Sequence, residues 1–275
     1  MKGVHHMKEN QEMGTPDYKN WMPKGMITAM VIATVVFFAL SLILLVFPGE
    51  KSIVRIIFII VFLIVFAALL VFTIWFSLLY RAFDYHGPIG LSKRIIEGTA
   101  SYVKIPDRGT GLDIGCGSGA LSIASAKRNP NAKITGCDRW GAEYYSFSKE
   151  LCKNNAAAEG VSNVAFQNGD ATALPFKDET FDCVFSNYVY HNIPSKDRQE
   201  ILLETLRVLK KGGTFAIHDL FTKSKYGDMD AFCKKLKSMG YEKVEFIDTT
   251  DGLFMNRKEA KNYMLTGSKL LVGKK

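Results

Sequence analysis

The stretch LDIGCGSG, residues 112–119, places three glycines at alternate positions directly after a short apolar run. The residues that follow, ALSIASA, have a helical pattern. The order is therefore a strand, a glycine turn and a helix. Glycine permits the dihedral angles of such a turn and lets backbone N–H groups approach a polar ligand at the helix N-terminus. This motif predicts a site for a nucleotide-like ligand.

From residue 110 onward, strand-like and helix-like segments alternate, which is typical of a parallel sheet covered by helices. Strands are predicted at residues 111–114, 133–137, 164–168, 181–186 and 214–219. Helices are predicted at residues 119–128, 142–159, 195–208 and 228–239. Two more strands, at 243–248 and 269–272, are separated by only a loop and a short helix. We therefore expect an antiparallel addition at the sheet edge.

Two long segments before the alternating region, residues 25–47 and 56–80, contain no charged residue. A helix of either length spans roughly 30 Å of hydrocarbon. The first segment is too long for a signal-peptide core, and no A-x-A-like cleavage site follows it. We predict a transmembrane hairpin, preceded by a cytosolic tail (residues 1–24). A connector with a cap helix (residues 81–109) and the main domain (residues 110–275) follow it.

The net charge of +8 comes from scattered lysines, with no arginine-rich run and no aromatic RNA-binding signature. A membrane protein whose bulk faces anionic cytoplasmic lipids is also basic, so we expect a membrane partner and no nucleic acid. Lysine and arginine around the two apolar segments favour cytoplasmic termini. The prediction is a multi-pass protein of the cell membrane, with both termini and the main domain in the cytoplasm.

The chain has five cysteines and no CxxC pair. An odd number without that spacing argues against a disulfide framework and against a structural zinc site. We expect buried thiols in a reducing compartment, and no metal.

Polar residues follow the predicted strands at the edge where open α/β sheets bind their ligands. Asp138 ends the second strand, where a carboxylate can accept hydrogen bonds from both hydroxyls of a ribose. Asp170 follows the third strand and can accept from an adenine amino group. Asn187 marks the end of the fourth strand, and Tyr188 and His191 come next. Their convergence predicts a bound nucleoside.

The segments LDIGCGSG, GCD, NGDATALPF, FDCVFSNYVYHNI and RVLKKGGTFAI, taken in order, resemble the class I S-adenosylmethionine-dependent methyltransferases. The similarity is greatest to the small-molecule branch that includes quinone and sterol methyltransferases, and it covers residues 95–275. It implies an α/β, Rossmann-like sheet of seven strands in the order 3-2-1-4-5-7-6, with the last strand antiparallel. The cofactor implied is S-adenosyl-L-methionine.

The same resemblance implies that residues at four strand ends contact the cofactor. These residues are Asp113, Gly115, Cys116, Gly117, Gly119, Asp138, Arg139, Trp140, Asp170, Ala171 and Asn187. The glycines line the methionine part, and Asp113 supports the turn and the amino group. Asp138 holds the ribose, with Arg139 and Trp140 beside the adenosine. Asp170 and Ala171 meet the adenine, and Asn187 lies near the sulfonium.

Methyl transfer requires a base only where the acceptor must lose a proton. His191 is the best candidate for that base, although a histidine here can instead shape the pocket. Tyr188 or Tyr190 is a candidate for orienting the acceptor. His218, near the cleft, and His86, in the connector, are weaker candidates for catalysis.

We predict a membrane-anchored methyltransferase that acts on a small-molecule or lipidic acceptor. No polar lid insert is present, so the cap helix or the membrane is expected to close the pocket. The alternatives are an NAD-dependent oxidoreductase and a non-enzymatic membrane scaffold with a degenerate fold. The oxidoreductase is disfavoured because Ala120 stands where the third glycine of its motif belongs. A protein beginning near Arg81 should be soluble and bind S-adenosylhomocysteine, and the oligomeric state stays open.

Overall fold

The computed structural model describes residues 14–46, 52–141 and 146–275. Predictions for most of the N-terminal tail, for the turn between the apolar segments and for the start of the helix at 142–159 lie outside the described residues. The described chain forms two compact units. One is residues 19–93, and the other combines residues 14–18 with residues 94–275.

The first unit is a helical hairpin. Helix α1 (Lys24–Val46) has 23 residues and α2 (Ile53–Phe83) has 31, close to the predicted segments. Many large apolar side chains on both helices are exposed, among them Ile32, Val35 and Val71. By length and composition, both helices are suited to cross a membrane.

Polar contacts join the two helices. The hydroxyls of Thr34 and Thr73 are buried and lie 3.0 Å apart, so they form a hydrogen bond between α1 and α2. The Arg55 guanidinium donates to the Leu44 carbonyl at 3.0 and 2.5 Å, and thereby satisfies a carbonyl at the end of α1. The Ser52 hydroxyl caps α2 by accepting from the Arg55 amide at 3.3 Å.

The second unit is built on a seven-stranded sheet. Its strands are β1 (Thr110–Ile114), β2 (Lys133–Asp138), β3 (Val164–Asn168), β4 (Phe181–Asn187), β5 (Leu209–Leu220), β6 (Lys243–Asp248) and β7 (Ser268–Lys274). They are ordered β3-β2-β1-β4-β5-β7-β6, and β7 is antiparallel to both neighbours. This confirms the predicted fold.

Seven further α-helices and a 3-10 helix (Tyr190–Asn192) are present in the described chain. The α-helices are α3 (Leu91–Ser101), α4 (Ala120–Arg128), α5 (Lys149–Ala158), α6 (Arg198–Arg207), α7 (Lys223–Tyr226), α8 (Met229–Ser238) and α9 (Arg257–Asn262). Of the helix predicted at 142–159, the described residues 146–148 are not helical. It begins at Lys149 because the Ser148 hydroxyl accepts from the Leu151 amide at 3.1 Å and caps the first turn.

Strand β5 begins at Leu209, before the predicted strand at residues 214–219, and so includes residues 210–213. They belong to β5 but bulge from it, because Phe181 pairs with Leu209 while Cys183 pairs with Thr214. The rest of the parallel register is regular. It places the carboxyl ends of β1 to β5 side by side at one edge of the sheet.

Candidate functional site

The glycine turn follows β1 at this edge. Gly115, Gly117 and Gly119 all have positive φ angles, of 70°, 54° and 84°. A Cβ on Gly115 would lie 2.3 Å from a methyl carbon of Val189, whereas a Cβ on Gly117 would meet nothing within 4 Å. The first glycine is therefore required for packing, and the middle one faces open space where a ligand can approach the backbone.

Asp138, at the end of β2, is held by the glycine turn. Its Oδ2 accepts from the Gly117 amide at 2.8 Å, and its Oδ1 accepts from the Trp140 amide at 2.8 Å. The Trp140 indole donates to the Gly117 carbonyl at 3.0 Å, which links the three residues in a ring of contacts. Each carboxylate oxygen can accept a second hydrogen bond, so Asp138 retains the capacity to bind hydroxyls.

The carbonyls of the glycine turn are held by α5. The Cys152 thiol donates to the Gly117 carbonyl at 3.1 Å, and the Asn155 side-chain amide donates to the Ser118 carbonyl at 2.9 Å. Both side chains are buried. Sequence patterns did not single out Cys152 or Asn155 for this role. The only hint in the sequence is that Cys152 and Asn155 are three positions apart, which places both side chains on one face of a helix.

Asp113 lies inside the protein, where it is 1% exposed. Its Oδ2 accepts from the Ser122 hydroxyl at 2.5 Å, which joins β1 to the first turns of α4. Burial raises the pKa of Asp113 to about 7, and the nearby Asp138 charge adds to the rise. Asp113 thus connects the two elements that flank the turn, and the part played by Ser122 was missed.

Cys116 occupies the predicted place in the glycine turn. Its side chain is buried, and burial raises the pKa of the thiol well above its usual value. Its amide donates to the Cys137 carbonyl at 3.2 Å. The thiol is therefore protonated at neutral pH and fills space in the turn.

The end of β3 places a second carboxylate beside the first. The Asp170 Oδ1 accepts from the Thr172 amide at 2.8 Å and from its hydroxyl at 2.7 Å. These bonds hold the pKa of Asp170 below its usual value, and the Arg139 charge contributes. Arg139 is exposed, while Ala171 is half-buried against the core. Asp170 is therefore an ionised acceptor, which suits an amino group of a base.

His191 and Asp219 form a close pair beyond β4 and β5. The His191 Nδ1 and Asp219 Oδ1 atoms lie 2.5 Å apart. Asp219 is fully buried and also accepts from the backbone amides of Tyr190 and His191, at 2.8 and 3.3 Å. The buried carboxylate fixes the orientation of the imidazole. Asp219 was missed, although it closes the predicted fifth strand directly after His218.

Asn187 lies beside a buried histidine. The Asn187 side-chain amide is 2.8 Å from His218 Nδ1, and His218 Nε2 is 2.9 Å from the Thr249 hydroxyl. Burial lowers the pKa of His218 to about 3, so it is neutral at physiological pH.

The Tyr188 hydroxyl is 2.6 Å from the Ser268 hydroxyl, which in turn donates to a backbone carbonyl. Tyr188 therefore donates its hydroxyl proton to Ser268.

Two of the weaker predictions are corrected. Tyr190 was a candidate for orienting the acceptor, but it is fully buried and its hydroxyl lies 2.9 Å from that of Thr205. His218 was a weaker candidate for catalysis. Because it is fully buried and both ring nitrogens have partners, it serves as a support for Asn187.

A known protein family matches within the second unit, and individual proteins are similar to part of the chain. The family described as "Methyltransferase domain" matches residues 107–262. Methyltransferase GfsG of Streptomyces halstedii is 28% identical over 140 residues, which cover 49% of this chain and 48% of the relative. Demethylmenaquinone methyltransferase of Bacillus cytotoxicus is 36% identical over 103 residues, covering 37% and 40%. The chain thus spans less than half the length of these two relatives.

Among solved structures, phosphoethanolamine N-methyltransferase 2 of Haemonchus contortus, in complex with S-adenosyl-L-methionine, superposes with a TM-score of 0.51. The sequence identity is 16%, and the match covers 73% of this chain and 56% of that one. At this identity the likeness concerns the fold alone.

Proposed function

Since this chain belongs to the methyltransferase domain family, as a class I S-adenosylmethionine-dependent methyltransferase, we propose that it methylates a small-molecule acceptor. The observation that carries the proposal is the ring of contacts among Asp138, Gly117 and Trp140. It joins an open glycine turn to a carboxylate with unused acceptor capacity. An open turn beside such a carboxylate is typical of a ligand site and is not expected in a scaffold that binds no ligand.

The described residues fit S-adenosyl-L-methionine. The open space at Gly117 admits the close approach of a ligand, and Asp138, bonded to the Gly117 amide, has acceptor capacity for the ribose hydroxyls. Asp170 lies after the neighbouring strand and is suited to the adenine amino group. When bound, this cofactor supplies a methyl group that is already activated on a sulfonium. The protein has to position the acceptor and, where necessary, remove a proton.

His191 is the residue that we assign to proton removal. Asp219 holds its Nδ1, which favours a proton on that nitrogen and leaves Nε2 as the basic atom. Asp219 also stabilises the imidazolium that forms when Nε2 takes a proton. This role is consistent with an acceptor that is a hydroxyl or an acidic carbon. Tyr188, whose ring centre is 6.0 Å from that of His191, is the residue that we assign to orienting such a molecule.

We further propose that α1 and α2 anchor the enzyme in the cell membrane and that the acceptor is lipid-soluble. The exposed apolar surface of both helices supports anchoring, because so large an apolar patch is unfavourable in water and is typical of a membrane-contacting surface. An anchored enzyme meets a membrane-dissolved acceptor at a high local concentration. The relative named for demethylmenaquinone fits this class of acceptor. Both termini and the second unit are then expected in the cytoplasm, where the cofactor is available.

A label-transfer assay tests both parts. The full chain in lipid nanodiscs is given S-adenosyl-L-methionine labelled in its methyl group, together with a membrane lipid extract and a soluble metabolite extract. We expect label in the lipid fraction for the wild type and none for Asp138→Ala. Label confined to the soluble fraction would overturn the lipid-soluble acceptor. Binding of NADH without binding of S-adenosylhomocysteine would overturn the methyltransferase.

A further inference from the structure

Residues 16–18, which we call the strap, precede α1 in the chain but pack on the second unit. The Asp17 amide donates to Asn155 Oδ1 at 2.7 Å, and Asn155 Nδ2 donates back to the Asp17 carbonyl at 2.9 Å. The Tyr18 hydroxyl donates to Glu159 Oε1 at 3.1 Å, and Tyr18 is 5% exposed. The strap is thus a docked segment with reciprocal backbone contacts to α5.

Asn155 connects the strap to the glycine turn. Its amide nitrogen has two N–H groups, one of which binds the Asp17 carbonyl while the other binds the Ser118 carbonyl. Its oxygen accepts from the Asp17 amide. Asn155 is 2% exposed with the strap in place, so its side chain is shielded from water while the strap is docked. The strap therefore fixes the side chain that holds one carbonyl of the turn.

A second contact extends the connection to α4. Glu159 accepts from Tyr18 and also forms an ion pair with Lys127, near the end of α4. Helix α4 begins directly after the glycine turn, with Gly119 as its N-cap. The strap thus contacts α5 directly and α4 through one shared carboxylate. These are the two helices that flank the turn.

We propose that the strap is a positioning element of the cofactor site, acting through Asn155 on the glycine turn. The proposal rests on the proposed function, since it assigns the strap to the cofactor of that reaction. Docking of the strap and binding of the cofactor stabilise the same conformation of the turn. Each must therefore strengthen the other by the same factor.

The test uses the full chain in lipid nanodiscs and S-adenosylhomocysteine, with the dissociation constant measured by calorimetry. Three variants weaken the strap: Asp17→Pro removes the backbone donor, Tyr18→Ala removes the buried ring, and Asn155→Ala removes the link. We expect each to raise the dissociation constant about three- to tenfold, the range for one lost hydrogen bond. Asn154→Ala is the matched control, because Asn154 is the adjacent, exposed position of α5. It should change the constant by less than about twofold.

A second measurement needs no variant. Hydrogen exchange at the Asp17 amide of the wild type should slow when S-adenosylhomocysteine is added, by a factor comparable to the loss of affinity in the variants. A strap that only stabilises the fold would lower the melting temperature of the free protein without changing the affinity. Unchanged affinity in all three variants, or unchanged exchange at Asp17, would overturn the strap's role. Absence of binding by the wild type would instead overturn the proposed function on which it rests.

Discussion

The Asp138 carboxylate accepts a hydrogen bond from the Gly117 amide at 2.8 Å, although 21 positions separate the two residues in the chain. The bond connects the end of β2 to the middle of the glycine turn after β1. One oxygen of Asp138 thereby orders the turn, and both oxygens keep a lone pair for a ligand. Ribose recognition and the shape of the turn therefore depend on the same side chain.

Asp138→Ala should weaken binding of S-adenosylhomocysteine about 10- to 100-fold, since hydrogen bonds to a charged group are lost. Asp138→Asn should have a smaller effect, because one oxygen remains to accept from Gly117. Calorimetric titration measures both. Asp230→Asn, at an exposed position of α8, is the matched control and should bind as the wild type does.

His191→Ala should lower kcat about 100- to 10,000-fold while the affinity for S-adenosylhomocysteine stays unchanged. Asp219→Asn should also lower kcat, because the imidazole loses the carboxylate that orients it. In the double variant the two losses should not add, since the residues act as one unit. Steady-state kinetics with the identified acceptor measures this. A wild-type rate in His191→Ala would show that the acceptor needs no base.

Gly115→Ala and Gly160→Ala separate the strain of a positive φ angle from the effect of packing. Both residues have similar φ angles, of 70° and 66°. A Cβ on Gly160 meets nothing within 4 Å, whereas one on Gly115 overlaps Val189. Gly160→Ala should cost about 1–2 kcal/mol of unfolding free energy. Gly115→Ala should cost clearly more and abolish cofactor binding; equal costs in urea unfolding would contradict the role of Val189.

His218 should make stability depend on pH. Its folded pKa of about 3 is below the ordinary 6.5, so between these values the unfolded chain binds more protons than the folded one. This contribution to stability is present above pH 6.5 and is lost as the pH falls towards 3. Asp113 acts in the opposite direction, because its folded pKa is raised to about 7 and its contribution is lost as the pH rises.

The two effects are separated by comparing the wild type with His218→Gln, because Asp113 is present in both. Between pH 6.5 and pH 4 the wild type should lose roughly 3 kcal/mol more unfolding free energy than the variant. Urea unfolding at a series of pH values measures the difference. Parallel pH profiles would show that His218 is not neutral in the folded protein.

A protein that begins at Arg81 should be soluble and fold, because the sheet and its core lie within residues 94–275. It lacks the strap, so its affinity for S-adenosylhomocysteine should be lower than that of the full chain, by a factor similar to that of the strap variants. Calorimetry on the two proteins measures this. Equal affinity would show that residues 16–18 are dispensable for the cofactor site.

Whereas the strand order followed from the resemblance to the class I methyltransferases, periodicity and the glycine turn were sufficient to predict a parallel sheet and the positions of Asp138 and Asp170. The reason is that parallel strands end at a common edge, so a polar residue at the end of each strand is placed by the strand pattern alone. The hairpin helices were likewise predictable to within a few residues, because long uncharged runs are a local property.

Tertiary structure alone placed the residues that support the site. The contact of Asn155 with Asp17 spans 138 positions, its contact with Ser118 spans 37, and that of His191 with Asp219 spans 28. No local pattern relates such positions, because each contact depends on how separately formed elements pack. The sequence by itself determined which edge of the sheet carries the residues predicted to bind the cofactor. Only packing decided that the strap and α5 hold the glycine turn, since a buried amide must find its partners wherever the fold brings them.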